Sequence, residues 1–350
     1  MAFENLSERE KEVLYNLVTY YVRSADPVGS RAIAKEFGMG ISSATIRNTL
    51  QDLEELGLVE QPHTSAGRVP TDLGYRVYVD YLLKPDQLTK KEKDAIKQSI
   101  LKEGRGIREI LGQTCRVLGD IANQLGVSIA PRFDEGVFRR LDLIPLTSDR
   151  LMVVVVVASG LARSVIIEIE TSISDDELRT VEMILNERLS GLTLGEIRNT
   201  VSERLKDVQG SGRLIKIMID SRDRLWTDDR AESIVTSGAE HLVAQPEFAN
   251  PQEFSALVRL LDGKVLSNLL RNLDQEGLVI AIGKENQFSE IMKCSLVTST
   301  YRVGNITGTI GIIGPTRMAY SKLVSLVDYT ARTLSDALSG IESSKGKGHG

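Results

Sequence analysis

Ser43, Thr45, Arg47 and Asn48 lie together between positions 43 and 48, and all four are types that read or grip nucleic acid. An arginine fork can take guanine O6 and N7 together, an asparagine amide can take adenine N6 and N7, and serine or threonine hydroxyls serve either role. Ser42 precedes them as a natural helix N-cap, Gln51 follows, and small Ala44 leaves room for a close approach. The N-terminus of a helix itself favours a phosphate. A short polar segment follows with His63, Thr64, Gly67 and Arg68. There Gly67 permits a tight turn, His63 and Thr64 suit phosphate contacts, and Arg68 suits the DNA backbone or the minor groove.

Other chemistries find less support. Cys115 and Cys294 are the two cysteines and stand far apart, and the three histidines (His63, His241, His349) form no cluster with them. A zinc site and a disulfide framework are therefore not expected, and the thiols fit a reducing interior. Asp220, Asp223, Asp228 and Asp229 read as a solvated loop rather than a carboxylate metal site. Gly304, Gly308, Gly311 and Gly314 lack the lysine and hydroxyl of a phosphate loop, so they mark strand bends and a turn. No nucleophile or acid–base constellation emerges. No catalytic residue, metal ligand or cofactor is expected, and the chain does not read as an enzyme.

The elements that must position the polar cluster are legible. Ser7 and Glu10 form a capping box ahead of a helix with Val13, Leu14, Leu17, Val18 and Tyr21 on one stripe. A second helix starts near Ser30 with Ala32, Ile33 and Phe37 inward. The third carries the cluster at its front and Ile46, Leu50, Leu53 and Leu56 on its back, and Gly57 ends it. Residues 58–60 and 68–69 are strand candidates around the polar segment. Three helices and a two-stranded hairpin are the order of a winged helix, the third helix entering the major groove.

The charge balance is at odds with loose nucleic-acid binding: 43 Lys and Arg against 48 Asp and Glu give a formal charge of −5. Residues 1–80 hold eight basic and twelve acidic side chains, but the acids sit mainly in the first helix and at the end of the third. Arg47 and Arg68 are expected to have no acid beside them. From pattern alone DNA binding is favoured, with a protein-binding module still open.

Residues 84–106 form a basic segment, read as a solvated connecting helix capped at Thr89 and Glu92. From 107 the pattern is mixed α and β, with strands expected near 137–144, 150–158, 163–170, 278–283, 294–301 and 304–313. Five consecutive valines, Val153–Val157, read as a strand buried on both faces. Residues 191–275 are mostly helical and look inserted into the α+β unit, and 341–350 resemble a disordered tail. The charged N-terminus carries no signal peptide and no apolar run spans a bilayer, so a cytoplasmic protein without membrane contact is expected.

The run PVGSRAIAKEFGMGISSATIRNTLQDLEELGLVEQPHTSAGRVPTDLGYRVYVDYLL closely resembles the heat-inducible transcription repressors of the HrcA family, as do QPEF (245–248), IGKEN (282–286), CSLVTSTY (294–301) and GTIGIIGPTRMAY (308–320). The resemblance implies an α+β multidomain chain: a winged helix-turn-helix (1–83), the basic linker helix (84–106), a GAF-like α+β domain (107–190 and 276–340), and an inserted, mainly helical dimerising domain (191–275). It also implies a homodimeric repressor of heat-shock chaperone operons that binds an inverted-repeat operator and is modulated by the chaperonin. Ser42, Ser43, Thr45, Arg47, Asn48, Gln51, His63, Thr64 and Arg68 would then be the DNA-binding residues. A small-molecule-responsive regulator, with the GAF-like domain as sensor, is the alternative, although no convergent polar residues name a ligand.

Overall fold

Ser7 opens the first helix: its hydroxyl accepts from the Glu10 N–H while the Glu10 carboxylate accepts from the Ser7 N–H, satisfying two otherwise unpaired donors. The computed structural model describes residues 6–101, 106–169, 173–208, 212–226, 234–272, 276–286 and 292–345. Helix α1 (Glu8–Ser24) is followed by α2 (Ser30–Phe37) and α3 (Ser43–Glu55). Val13, Leu14, Leu17, Val18, Ile33, Ile46, Leu50 and Leu53 from these helices are all buried. Each such side chain contributes about 1.5–3 kcal/mol, which sustains helices too short to persist alone. After α3, the Gly57 N–H reaches the Glu54 carbonyl and the Leu58 N–H the Leu53 carbonyl, a left-handed glycine C-cap. Strands β1 (Val59–Glu60) and β2 (Val69–Pro70) pair antiparallel, and α4 (Asp72–Val77) runs on into a π turn, Tyr78–Leu82. This is the expected winged helix.

The basic segment differs from the expected solvated helix. The Thr89–Glu92 capping box does start α5 (Lys90–Ile100), but Ile96, Ser99 and Ile100 are buried against α6 (Ile107–Ala122). Glu92 is also paired with Lys322 at 2.8 Å, and the Lys93 ammonium lies 5.8 Å from the centre of the Tyr329 ring. One apolar i, i+4 pair is enough to dock a helix that is otherwise charged. Strand β3 (Leu125–Ile129) follows.

Next come β4 (Phe138–Thr147), β5 (Arg150–Val157) and β6 (Ala162–Glu168), an antiparallel sheet in that order. Helices α7 (Asp175–Leu189), α8 (Leu194–Arg204), α9 (Gly212–Asp220) and α10 (Arg222–Leu225) supply its core partners, with Phe138 and Trp226 edge to face at 6.1 Å. Asn186 on α7 covers the free edge of β4, accepting from the Leu141 N–H at 2.6 Å and donating to its carbonyl at 2.9 Å. The five valines alternate instead of being buried on both faces: Val153, Val155 and Val157 are fully buried, whereas Val154 and Val156 are half-buried on the other face.

The chain then adds β7 (Ile234–Ser237), α11 (Ala239–Val243), α12 (Pro251–Leu260), α13 (Gly263–Asn272), β8 (Leu278–Ile282), β9 (Cys294–Val303), β10 (Ile306–Pro315) and α14 (Tyr320–Lys345). A second sheet has the order β7-β3-β10-β9-β8. Two compact units result: residues 1–128, 234–300 and 310–331 form one, and 129–233, 301–309 and 332–350 the other. Residues 129–233 carry a sheet of their own, and the expected insertion 191–275 spans parts of both units. Residues 138–168 join β4–β6 instead of the larger sheet, and α12 and α13 belong with the first unit. Apolar patterning identifies strands but not the sheet they enter, and the four-residue β7 gives little signal. Helix α14 runs through 341–345, the first half of the expected tail, and 346–350, like Asp228 and Asp229, lie outside the described residues.

Candidate nucleic-acid interface

The front of α3 is built by its own cap. Ser42 Oγ accepts from the Thr45 N–H at 3.1 Å and lies 3.0 Å from Thr45 Oγ1, so these two hydroxyls are joined at the helix start. Ile46, Thr49, Leu50 and Leu53 are turned inward, and the Thr49 hydroxyl donates to the Thr45 carbonyl at 3.2 Å. Ala44, Arg47, Asn48 and Gln51 are exposed and recur at i, i+3, i+4 and i+7, one face of the helix. Ser43 and Thr45 are half-buried at its margins.

The wing is braced from within. Gln61 donates its amide to the carbonyls of Thr64 (3.1 Å) and Ala66 (2.9 Å), and the Ala66 N–H reaches the His63 carbonyl at 2.8 Å. His63, Thr64 and Ser65 are exposed at the tip. The base of the wing is tied to the residue before the Gly29 N-cap of α2: Val28 and Arg68 exchange both backbone hydrogen bonds, at 2.8 and 2.9 Å. Gly67 is needed for this approach and not for a turn conformation, because a Cβ there would lie 2.4 Å from the Val28 carbonyl carbon.

Arg68 departs from the sequence-based expectation. Its Nε and Nη2 donate to Glu54 Oε2 at 3.0 and 2.7 Å, with side chains only 20% and 34% exposed. An acid is thus beside Arg68 after all, supplied by the back of α3 fourteen residues earlier. Arg47 keeps no such partner among the described residues. It shares a cleft of about 450 Å³ with Ser30, Arg31, Gln61, Thr64 and Gly67, between the start of α2, the front of α3 and the wing. Arg31, exposed in the first turn of α2, was not among the expected site residues. Its signal was its place just after the Gly29 N-cap, where helix N–H groups favour an anion. The cleft therefore brings Arg31, Arg47, Thr64 and Arg68 together, Arg68 with its guanidinium paired to Glu54, and Asn48, Gln51 and His63 are exposed nearby in sequence.

Two family models match the chain. One, described as the winged helix-turn-helix transcription repressor HrcA DNA-binding domain, covers residues 5–80, and the other, the HrcA protein C-terminal domain, covers 108–324. The chain belongs to the HrcA family. The heat-inducible transcription repressor HrcA of Chlorobium phaeobacteroides (strain BS1) is 42% identical, covering 97% of this chain and 100% of the relative. That of Geobacter sulfurreducens is 37% identical over 96% and 99%. A crystal structure of a hypothetical protein, 22% identical and covering 96% of this chain and 99% of its own, has the same fold, with a TM-score of 0.63. As a member of the HrcA family the chain is a heat-inducible transcription repressor with a winged-helix DNA-binding domain, not an enzyme. No helix among the described residues is long and apolar enough to cross a membrane.

Proposed function

We propose that this HrcA-family chain represses heat-shock chaperone operons as a cytoplasmic homodimer bound to an inverted-repeat operator, with the chaperonin modulating its activity. The observation that carries the DNA-binding surface is the exposed row Arg47, Asn48 and Gln51 beside a cleft that also holds Arg31. In this reading Ser43, Arg47, Asn48 and Gln51 meet base edges, while Ser42 and Thr45 set the helix front. Arg31, His63 and Thr64 follow phosphates, and Arg68 supports the wing through Glu54. Two heads on one palindrome compensate for a domain with little bulk positive charge.

The outer face of the β4–β6 sheet supports the homodimer. Ile144, Met152 and Ile166 form one cross-strand row, and Val154 and Val156 lie on the same face, opposite Asp142, Ser164 and Arg140. Ile144 is 41% and Ile166 48% exposed, an apolar sheet face that a second copy would cover. The experiment is a mobility shift with chaperone-operon promoter DNA, with and without chaperonin. Retardation that chaperonin alters supports the whole reading. Retardation indifferent to chaperonin removes the modulator, and an unshifted promoter removes the operator.

A further inference from the structure

Residues 83–89, which leave the winged helix, form no helix or strand. Such a link could let the head swing. Polar contacts within the same compact unit instead tie α4 to the turn Gly283–Asn286 that follows β8. Asp72, at the start of α4, accepts from the Lys284 N–H at 3.1 Å. Gly283 has φ +51°, and a Cβ there would lie 2.4 Å from the Asp72 carboxylate, so only glycine allows this approach. One turn further along α4, Arg76 donates from Nε to Glu285 Oε1 at 2.9 Å, from Nη2 to Glu285 Oε2, and from Nη2 to the Ile280 carbonyl at 2.7 Å.

The receiving turn is itself stiffened. Glu285 Oε2 accepts from the Ile282 N–H at 2.8 Å, and buried Asn286 donates to the carbonyls of Gly283 and Cys294 at 2.8 and 2.9 Å. A second tie comes from Arg317, whose side chain is 12% exposed. It donates to the Val22 carbonyl near the end of α1 at 2.8 Å while its Nε holds Glu247 at 2.7 Å. None of these side chains lines the cleft of the reading head.

We propose that the Gly283–Asn286 turn is a latch that fixes the orientation of the winged helix on the α+β core, with Asp72, Arg76 and Glu285 as positioning residues for operator recognition. The inference rests on the dimeric, two-half-site reading above. A head free to rotate lowers the effective concentration of the second head at its half-site and blurs the preferred spacing, without changing how one head binds one half-site. A latched head makes affinity depend sharply on spacing. The planar fork of Arg76 meeting a carboxylate and a carbonyl at once specifies direction as well as attraction.

The test uses the full chain, wild type and E285Q, with D72N as a second variant. Fluorescence anisotropy measures binding to a single half-site duplex, the natural operator, and operators with the spacer lengthened or shortened by about two base pairs, a sizeable rotation in a helix of about 10.5 base pairs per turn. For both variants the expectation is half-site affinity within about twofold of wild type. Affinity for the natural operator should fall about tenfold, and the penalty for altered spacing should shrink. A variant that keeps the wild-type spacing penalty overturns the latch. Equal losses on half-site and operator also overturn it, because the head itself is then damaged. A wild-type protein indifferent to spacing refutes the two-half-site reading and the latch with it.

Discussion

Replacing Glu54 with glutamine tests whether Arg68 is a strut of the wing or a hand on DNA. Simple electrostatics says that removing an acid from a DNA-binding head should tighten binding. For a phosphate about 10 Å away the gain is about 0.4 kcal/mol before salt screening. The geometry says the opposite. Two hydrogen bonds of 2.7 and 3.0 Å join Glu54 to Arg68, whose backbone carries the wing onto Val28. With side chains 20% and 34% exposed, such a charge-assisted pair is worth about 1–2 kcal/mol after allowance for solvent screening. The backbone bridge survives the substitution, so the expected net loss is about 1 kcal/mol, roughly fivefold in half-site affinity. The assay is fluorescence anisotropy on a half-site duplex over a salt series. R68Q should match E54Q, the double variant should lose little more than either single variant, and the slope of log K against log salt should stay at the wild-type value. E54Q binding as tightly as wild type or tighter would refute the strut, as would R68Q lowering the slope by about 0.9, the signature of one lost phosphate contact.

Other consequences can be measured independently. R47A should cost about 1–3 kcal/mol of operator affinity and relax discrimination at one base pair, read by binding to a panel of single-substituted operators. G67A forces a methyl group into the Val28 backbone and should lower half-site affinity together with about 1–3 kcal/mol of stability in a urea titration. V154R, on the outer sheet face, should shift sedimentation from dimer to monomer. Burial pushes the Cys294 thiol up to about 12 and raises Cys115 as well, so neither should react with a thiol reagent at pH 8 until urea unfolds the chain. Glu92 is held down from its ordinary 4.5 to about 2, first by Lys322 and then by the Thr89 N–H and hydroxyl. Its contribution is therefore present above pH 4.5 and is lost as pH falls towards 2, and E92Q should flatten that acid limb of Tm against pH.

Local chemistry made the winged helix legible. Ser7 with Glu10, Ser42 with Thr45 and Gly57 are short-range signals whose partners lie within a few residues, and each forms as its neighbours dictate. The long-range features were not. Glu54 reaches Arg68 only after the chain has turned through the wing, and residue types alone make an arginine after a glycine look free. Val153–Val157 identified a strand, but valines pointing both ways are compatible with two buried faces or with one buried face and one half-exposed. Whether 138–168 enters the large sheet depends on pairing, which apolar patterning does not encode. Glu285 and Arg76, 209 positions apart, carry no mutual signal in a single sequence.

The low positive charge of the reading head has a kinetic consequence. Arg31 and Arg47 face one cleft, while the head as a whole holds eight basic against twelve acidic residues. Such a surface has little hold on arbitrary duplex, because binding without sequence preference is supplied almost wholly by phosphate neutralisation. The repressor then spends little time sliding and reaches its operator mostly by three-dimensional encounter. Bulk chromosomal DNA therefore stores little of it, and operator occupancy follows the concentration of free protein closely. Small changes in that concentration, from synthesis, unfolding or capture by another protein, pass to the promoter without a reservoir to blunt them.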